Sequence, residues 1–467
     1  MTPLPPALPA SCDLHRLPPG IAFEAGERHH HIANTAYPIA HGTTWRPYRV
    51  PCERHEETIV RSFAGIRDFC LYAHIPFCET RCSFCEYTVV GRGEPAEYME
   101  LLERELAQYA GMLDTPSRVL HGFDIGGGTP SLVEAESIER LVKRVRGCFS
   151  FAPGAGISIE TTPRIAAAAP EKLAVWRRAG IDRVSMGVQV IQPGLLRVMN
   201  RDGNGVECHR RAAANIRSAG FRRFNVDLMY GFAGQSLAGW GATLEHVIGL
   251  RPESITLYRM RYKLTRIARD AGRVSLAEVR DQSAAAREIL ESAGYAAIPG
   301  KNTWSRIPGE PGTSDYLTHR VIGGMPYLGI GLGAQSFSAS AVAYNDGAAT
   351  KTIAPWRESI ERGWPPVQHL YHPPFAHLAA KMVSVSFYFG EIDRQAFTAR
   401  FGRTIEEAFP AEVDFVRRRG LMHDTPRALS LTAEGAHHFN GVVALFYAPS
   451  VQEALLRLDP STAGGAA

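Results

Sequence analysis

Three thiols fall within eight positions of the stretch YAHIPFCETRCSFC, at Cys78, Cys82 and Cys85. Thiolates crowded in this way bind soft metals, mainly zinc or iron–sulfur clusters. A structural zinc takes four protein ligands. No nearby cysteine completes such a set, and neither Glu86 nor His74 is well placed to do so. A [4Fe–4S] cubane suits three thiolates better, because each holds one iron and the fourth iron keeps an open position for a small molecule. The spacing points to a cluster that does chemistry and does not only carry electrons. The other five cysteines, at positions 12, 52, 70, 148 and 208, are scattered and read as buried or incidental thiols.

Elements outside this loop must position it. From Leu71 onward, short apolar runs alternate with amphipathic helical segments. The runs CLYAHI, VLHGFDI, GISIE, DRVSMGV, FRRFNVDLMYGF and SITLYRM read as strands, with helices such as PAEYMELLERELAQYAGML and GVECHRRAAANIRSAG between them. Six such alternations predict an α/β fold with a parallel sheet, because parallel neighbours need crossover connections. A partial (β/α)6 barrel is the expected form, with functional residues at the C-terminal ends of its strands. The expected division is an arm over residues 1–68, a core over 69–345 and a mainly helical, winged-helix-like domain over 346–467. In the last of these, RALSLTAEGAHHFN reads as a strand leading through a Thr432 cap into a last helix.

The chain of 467 residues carries a net charge of +4, from 51 basic and 47 acidic residues. So small an excess does not argue for a nucleic-acid or membrane partner. The Arg417–Arg419 triplet reads as a solvated helix end, and the triplet at His29–His31 as a solvated polar stretch. No apolar run reaches the roughly 18 residues of a membrane span. The proline-rich start, MTPLPPALPASCDLHRLPPG, lacks the plan of a secretory signal and reads as a loose arm. Free thiols without an export signal place the protein in the cytoplasm.

The Cys-x3-Cys-x2-Cys loop after a first strand resembles that of the radical S-adenosylmethionine (SAM) enzymes, and GGGTP at 126–130 resembles their glycine-rich strand end. Together with SIETTP, RVSMGVQ, VMNRDG and VDLMYGF, the motifs resemble the HemN-like family of oxygen-independent coproporphyrinogen oxidases over about Tyr72–Phe232, with weaker similarity through YLGIGLGAQSFS and LSLTAEG. The resemblance implies a [4Fe–4S] cluster on Cys78, Cys82 and Cys85 and two SAM molecules. It implies contacts from Tyr72, Gly127 and Glu160 to the SAM on the cluster, and from Phe84, Gly128, Thr129, Gln189, Arg201 and Asp227 to the second.

Two departures shape the expected activity. The porphyrinogen oxidases carry a further cysteine just after the cluster motif, where this chain has Glu86 and Tyr87. The related haem chaperones show an HNxxYW-like stretch, which SDYLTHRVIGGMPYLGIG lacks; His319 alone is weak evidence of a haem ligand. What remains resembles the class C radical SAM methyltransferases and cyclopropanases. That resemblance implies transfer of a SAM-derived methylene to an sp2 carbon of a small unsaturated substrate in specialised metabolism, with Glu86 and Tyr87 as proton or hydrogen relays. An electron donor such as flavodoxin or ferredoxin is the expected partner. The alternatives are oxidative decarboxylation of the coproporphyrinogen type and a HemW-like haem chaperone.

Overall fold

The computed structural model describes residues 16–458, apart from 31, 36, 92–94, 115–116 and 263–264. Most of the proline-rich start therefore lies outside the described residues. Seven strands come first in the chain: β1 (Asp68–Ile75), β2 (Val119–Gly127), β3 (Ser150–Phe151), β4 (Ile157–Thr161), β5 (Arg183–Gln189), β6 (Arg223–Tyr230) and β7 (Ser254–Arg259). Five more complete the large sheet: β8 (Thr303–Ser305), β9 (Tyr327–Ile330), β10 (Gln335–Phe337), β11 (Val342–Asn345) and β12 (Val367–Tyr371). Their order is β12-β11-β10-β9-β1-β2-β4-β5-β6-β7-β8, with β3 beside β2.

The six strands expected from the alternation are β1, β2, β4, β5, β6 and β7, and they pair in parallel in that order. The two ends of the path, β8 and β12, do not pair, so the sheet stays open as a partial barrel. Strands β1 and β5 are buried almost throughout, because helices cover the outside of the sheet, while Glu160 of β4 and Tyr258 of β7 are exposed. Leu102, Leu106, Leu141, Val145, Trp176 and Leu244 supply the outer layer of that core.

Three differences from the sequence reading have clear causes. Strand β9 adds a seventh parallel neighbour, beside β1, and β10–β12 extend the sheet in antiparallel fashion. These strands are only three to five residues long, so no alternation marks them. The helix Leu276–Ser292 was not expected; a Ser275–Glu278 capping box starts it. The segment TIEEAFPAEVDFVRRRG at 404–420, which reads as one helix in the sequence, is two, Ile405–Ala408 and Pro410–Arg418. Phe409 is not helical, and Pro410 opens the second helix at N1.

The C-terminal region adds a small antiparallel sheet from β13 (Glu391–Asp393), β14 (Met422–Asp424) and β15 (Ala428–Leu431), in the order β13-β15-β14. Thr432 caps the next helix, accepting from the Gly435 N–H at 2.9 Å. Two further helices, Phe439–Leu445 and Pro449–Leu456, follow. Ala22, Phe23, Ala25, Tyr37 and Trp45 share one hydrophobic core with Val442–Ala448 and Phe387. His29, expected in a solvated stretch, is buried. In the arginine triplet, Arg417 pairs with Glu406 and Asp424, Arg418 with Asp414, and Arg419 lies over Phe23 and Phe415. Among the described residues no helix is long and apolar enough to cross a membrane.

Candidate active site

The loop Cys78–Cys85 leaves the C-terminal end of β1 and is pinned from outside. The Ser83 hydroxyl donates to the Val198 carbonyl at 2.7 Å, the Ser83 N–H to Met199 O at 3.1 Å, and the Arg266 N–H to Ser83 O at 2.9 Å. Asn200 Nδ2 donates to Arg81 O at 3.0 Å. From inside, the Thr129 hydroxyl reaches Cys78 Sγ at 3.5 Å and Arg201 Nη1 reaches Cys82 Sγ at 3.6 Å. All three cysteines are free, and each is only partly covered.

The end of β2 fits closely against this loop. A Cβ on Gly128 would lie 2.5 Å from Phe77 O and 3.0 Å from Cys78 Sγ. One on Gly126 would lie 2.9 Å from Glu160 Oε1 and 3.1 Å from Tyr72 Cε2. Gly127 has φ +124°, a conformation L side chains rarely adopt. The three glycines therefore let the strand end approach both the thiols and Glu160.

Do these residues fit a cubane? Among the described residues no three His, Cys, Asp or Glu side chains converge to hold a single ion. A cubane asks for something else, three thiolates on three separate irons around a shared space. Burial pushes the Cys78 thiol up to about 11 and raises Cys85 as well. Bound cationic iron offsets that cost by holding the thiolates directly. The donor set and the space beside it fit a cluster.

The thiols open into a cavity of about 670 Å³, within the roughly 300–1,000 Å³ of small-molecule sites. Cys78, Cys82, Phe84, Cys85, Glu86, Tyr87, Gly127, Gly128, Thr129, Glu160, Gln189, Arg201 and Asp227 all line it. Of the residues that the sequence assigns to the cluster, to SAM or to proton relay, Tyr72 alone does not. Its hydroxyl lies 3.2 Å from His74 Nδ1, and its ring stacks on Tyr316. His319 is also outside the cavity, with its ring against His121.

Electrostatics divide the cavity. Glu160 is surrounded by protein yet open to the interior space; burial first, then the charge of Asp227, pushes its carboxyl up to about 8. The Gly127 N–H donates to it at 3.2 Å. Asp227 accepts from Ser185 at 2.9 Å and from Asn225 at 2.8 Å, and burial raises it too. Gln189 Oε1 and Arg201 Nε are buried without a hydrogen-bond partner, and Gln189 holds a positive φ of 70°. Such orphaned groups at a cavity wall are ready for a polar ligand. Arg201 is anchored meanwhile by its Nη2, 2.6 Å from Gly187 O.

More of the wall comes from residues that no motif marks: Tyr258, Arg259, Arg261, Lys301 and Tyr388. Arg261 pairs with Glu86, so that carboxylate is held and not loose. Tyr87 is 58% and Tyr258 36% exposed, both into this space. Burial lowers Lys301 to about 8. Position at the end of SITLYRM was the one available signal for Tyr258 and Arg261; Lys301 and Tyr388 come from loops without any. The roof is made by both chain ends. Arg259 donates to Asn440 at 3.1 Å, Arg280 to Glu27 at 2.9 Å, and Asn440 to His30 O at 3.0 Å.

The radical SAM superfamily model matches residues 72–247. Heme chaperone HemW of Mycobacterium tuberculosis (strain ATCC 25618 / H37Rv) is 34% identical over 256 residues, 52% of this chain and 63% of that protein. The match thus spans less than two thirds of that relative's length. HemW of Bacillus subtilis (strain 168) is 25% identical over 392 residues, 80% of this chain and 98% of that protein. Oxygen-independent coproporphyrinogen III oxidase of Escherichia coli (strain K12) is 33% identical over 195 residues, 41% of this chain and 42% of that protein. The solved structure of coproporphyrinogen III oxidase (HemN) from Escherichia coli shares the fold, with TM-score 0.70 at 22% identity, covering 85% of this chain and 94% of that chain.

These relatives overturn the expectation of methylene transfer to an sp2 carbon, and with it the class C methyltransferase and cyclopropanase assignment. They carry the names of the two roles that a missing cysteine and a missing HNxxYW-like stretch had seemed to argue against. Two short departures weigh less than similarity that runs through most of the chain. A [4Fe–4S] cluster and SAM are the cofactors that go with this fold. Residues 72–247 thus match the radical SAM superfamily, and the chain is similar to HemW and to oxygen-independent coproporphyrinogen III oxidase.

Proposed function

We propose that the protein cleaves SAM reductively and oxidises a carboxylate-bearing substrate of the porphyrinogen type, with loss of carbon dioxide and with the substrate radical's remaining electron passing to an external one-electron acceptor. The observation that carries this reading is a single cavity lined both by the three thiols and by Arg259, Arg261 and Lys301. Cationic walls bind carboxylates through charge-assisted hydrogen bonds. Cys78, Cys82 and Cys85 would hold the cluster. When bound, the cluster and SAM supply a 5′-deoxyadenosyl radical that abstracts a hydrogen atom.

The chain's own residues then bind and orient. Gly127 and Glu160 would take the methionyl amine and ribose of the SAM on the cluster, with Tyr72 supporting Gly126 and Glu160 from behind. A second SAM is the finer part of the proposal. Phe84, Gly128, Thr129, Gln189, Arg201 and Asp227 would surround it, the unpartnered Gln189 and Arg201 atoms being the support. Tyr87 stands open in the cavity beside the Glu86–Arg261 pair, where it can hold or pass a proton.

A second reading, a haem chaperone, is favoured by the match to Bacillus subtilis HemW over nearly all of that protein. One experiment separates the two. The anaerobically reconstituted protein is given SAM, dithionite and coproporphyrinogen III, and products are followed by mass spectrometry. 5′-Deoxyadenosine formed together with decarboxylated porphyrinogen supports the oxidase reading. Stoichiometric haem retention with little SAM cleavage replaces it with the chaperone. Cys82→Ala should lose most of its iron and all SAM cleavage; full cleavage in that variant refutes both.

A further inference from the structure

We propose that the surface outside the cysteine loop, formed by Arg197, Val198, Arg266, Arg269 and Leu237, docks a flavodoxin, a small acidic flavoprotein that delivers one electron. The inference rests on the cluster reading above and adds the partner's place on the molecule. Reducing the cluster takes one electron from outside; the carrier loses that electron and the cluster gains it. The carrier must therefore dock where the chain between cluster and solvent is thinnest.

That place is defined by hydrogen bonds. Ser83, between Cys82 and Cys85, is held by Val198 O at 2.7 Å and by the Arg266 N–H at 2.9 Å. Thr80 donates to Asn200 O at 3.3 Å. One side of these segments faces the cysteine loop, and the other is solvent: Arg197, Val198, Arg266 and Arg269 are all exposed and lie outside the cavity lining. One layer of chain thus separates the thiols from the outer surface.

The chemistry of this surface fits an acidic partner with an apolar edge. Val198 is 51% and Leu237 50% exposed. Beside them, Leu195, Val198, Ala233 and Gln235 line a shallow groove. Among the described residues Arg197, Arg266 and Arg269 have no carboxylate partner. The acids in the neighbourhood are fewer or engaged: Asp270 pairs with Arg273, Glu79 lies 3.8 Å from Arg164, and Asp202 stands alone. An apolar patch ringed by unpaired arginines matches a flavin edge set in an acidic face.

The test measures binding first. Affinity of purified flavodoxin for the protein is read by titration calorimetry at two salt concentrations. The triple variant R197E/R266E/R269E should bind at least about tenfold more weakly and lose most of the salt dependence. Equal charge reversal at Arg362, Arg418 and Arg457, on other exposed helices, should change affinity by less than about twofold. In the reconstituted triple variant, dithionite should drive SAM cleavage at the parent rate while flavodoxin no longer does. Unchanged affinity and unchanged flavodoxin-driven cleavage overturn the docking surface. Failure of dithionite to drive cleavage in the parent protein, which the chaperone reading expects, overturns the oxidase reading instead, and the binding result still judges the surface.

Discussion

At the scale of single residues, the closest fit in the site is between Gly128 and the cysteine loop. An added methyl would meet the Phe77 carbonyl, which is backbone and cannot swing away, and the Cys78 sulfur. Gly128→Ala should cost about 1–3 kcal/mol of stability, as overpacking does, and should displace Cys78. The expected outcome is a folded protein that retains much less iron after reconstitution, read by iron analysis and by the cluster's visible absorbance. Parent-level iron content would show that the loop tolerates the shift. Sequence alone made this site half legible. Cys78, Cys82, Cys85 and the glycines announce themselves because metal chemistry and close backbone approach accept few residue types. Arg261, Lys301 and Tyr388 do not, because any surface loop carries such residues and only the fold turns them inward.

At the scale of elements, one buried carboxyl ties three pieces of the fold together. Glu105, on the helix Pro95–Met112, is fully buried and accepts from the Gly331 N–H at 2.8 Å, Trp356 Nε1 at 3.0 Å and Asn345 Nδ2 at 2.7 Å. It thereby fixes the turn after β9, the end of β11 and the helix Ala354–Glu361 to the first crossover helix. Burial, only partly offset by these bonds, pushes its carboxyl up to about 8 from 4.5. Between those values the folded chain holds a proton that the unfolded chain has released. Its contribution to stability is therefore full below about pH 4.5 and is lost as pH rises towards 8, by at most about 1.4 kcal/mol per pH unit. Glu105→Gln should flatten that part of the stability–pH curve in denaturant titrations; an unchanged slope would exclude this group. The same region shows why part of the fold is hard to read. The six parallel strands each repeat a strand–helix period, whereas YLGIGLGAQSFS packs two short strands around glycines and shows no period at all.

At the scale of the whole molecule, the roof of the cavity depends on one close helix crossing. Helix Pro19–Arg28 meets helix Phe439–Leu445 through Gly26 and Gly441; a Cβ on Gly441 would lie 2.7 Å from the Phe23 ring. Glu27 reinforces the crossing by accepting from the Gly441 N–H at 3.0 Å and lying 2.9 Å from His438 Nδ1. Gly441→Leu should push the helices apart, lower stability by about 1–3 kcal/mol and raise protease cleavage near residues 433–440, with the barrel core left protected. Uniform protection in limited proteolysis would contradict the view of these ends as a roof.

The two helices that cross over the cavity, Pro19–Arg28 and Phe439–Leu445, stand at widely separated places in the sequence. A contact that closes so long a loop costs chain entropy that nothing local repays until both partners are in place. The barrel between them is built from neighbouring strand–helix units and needs no such closure. Folding is thereby ordered, with the barrel formed before its cover.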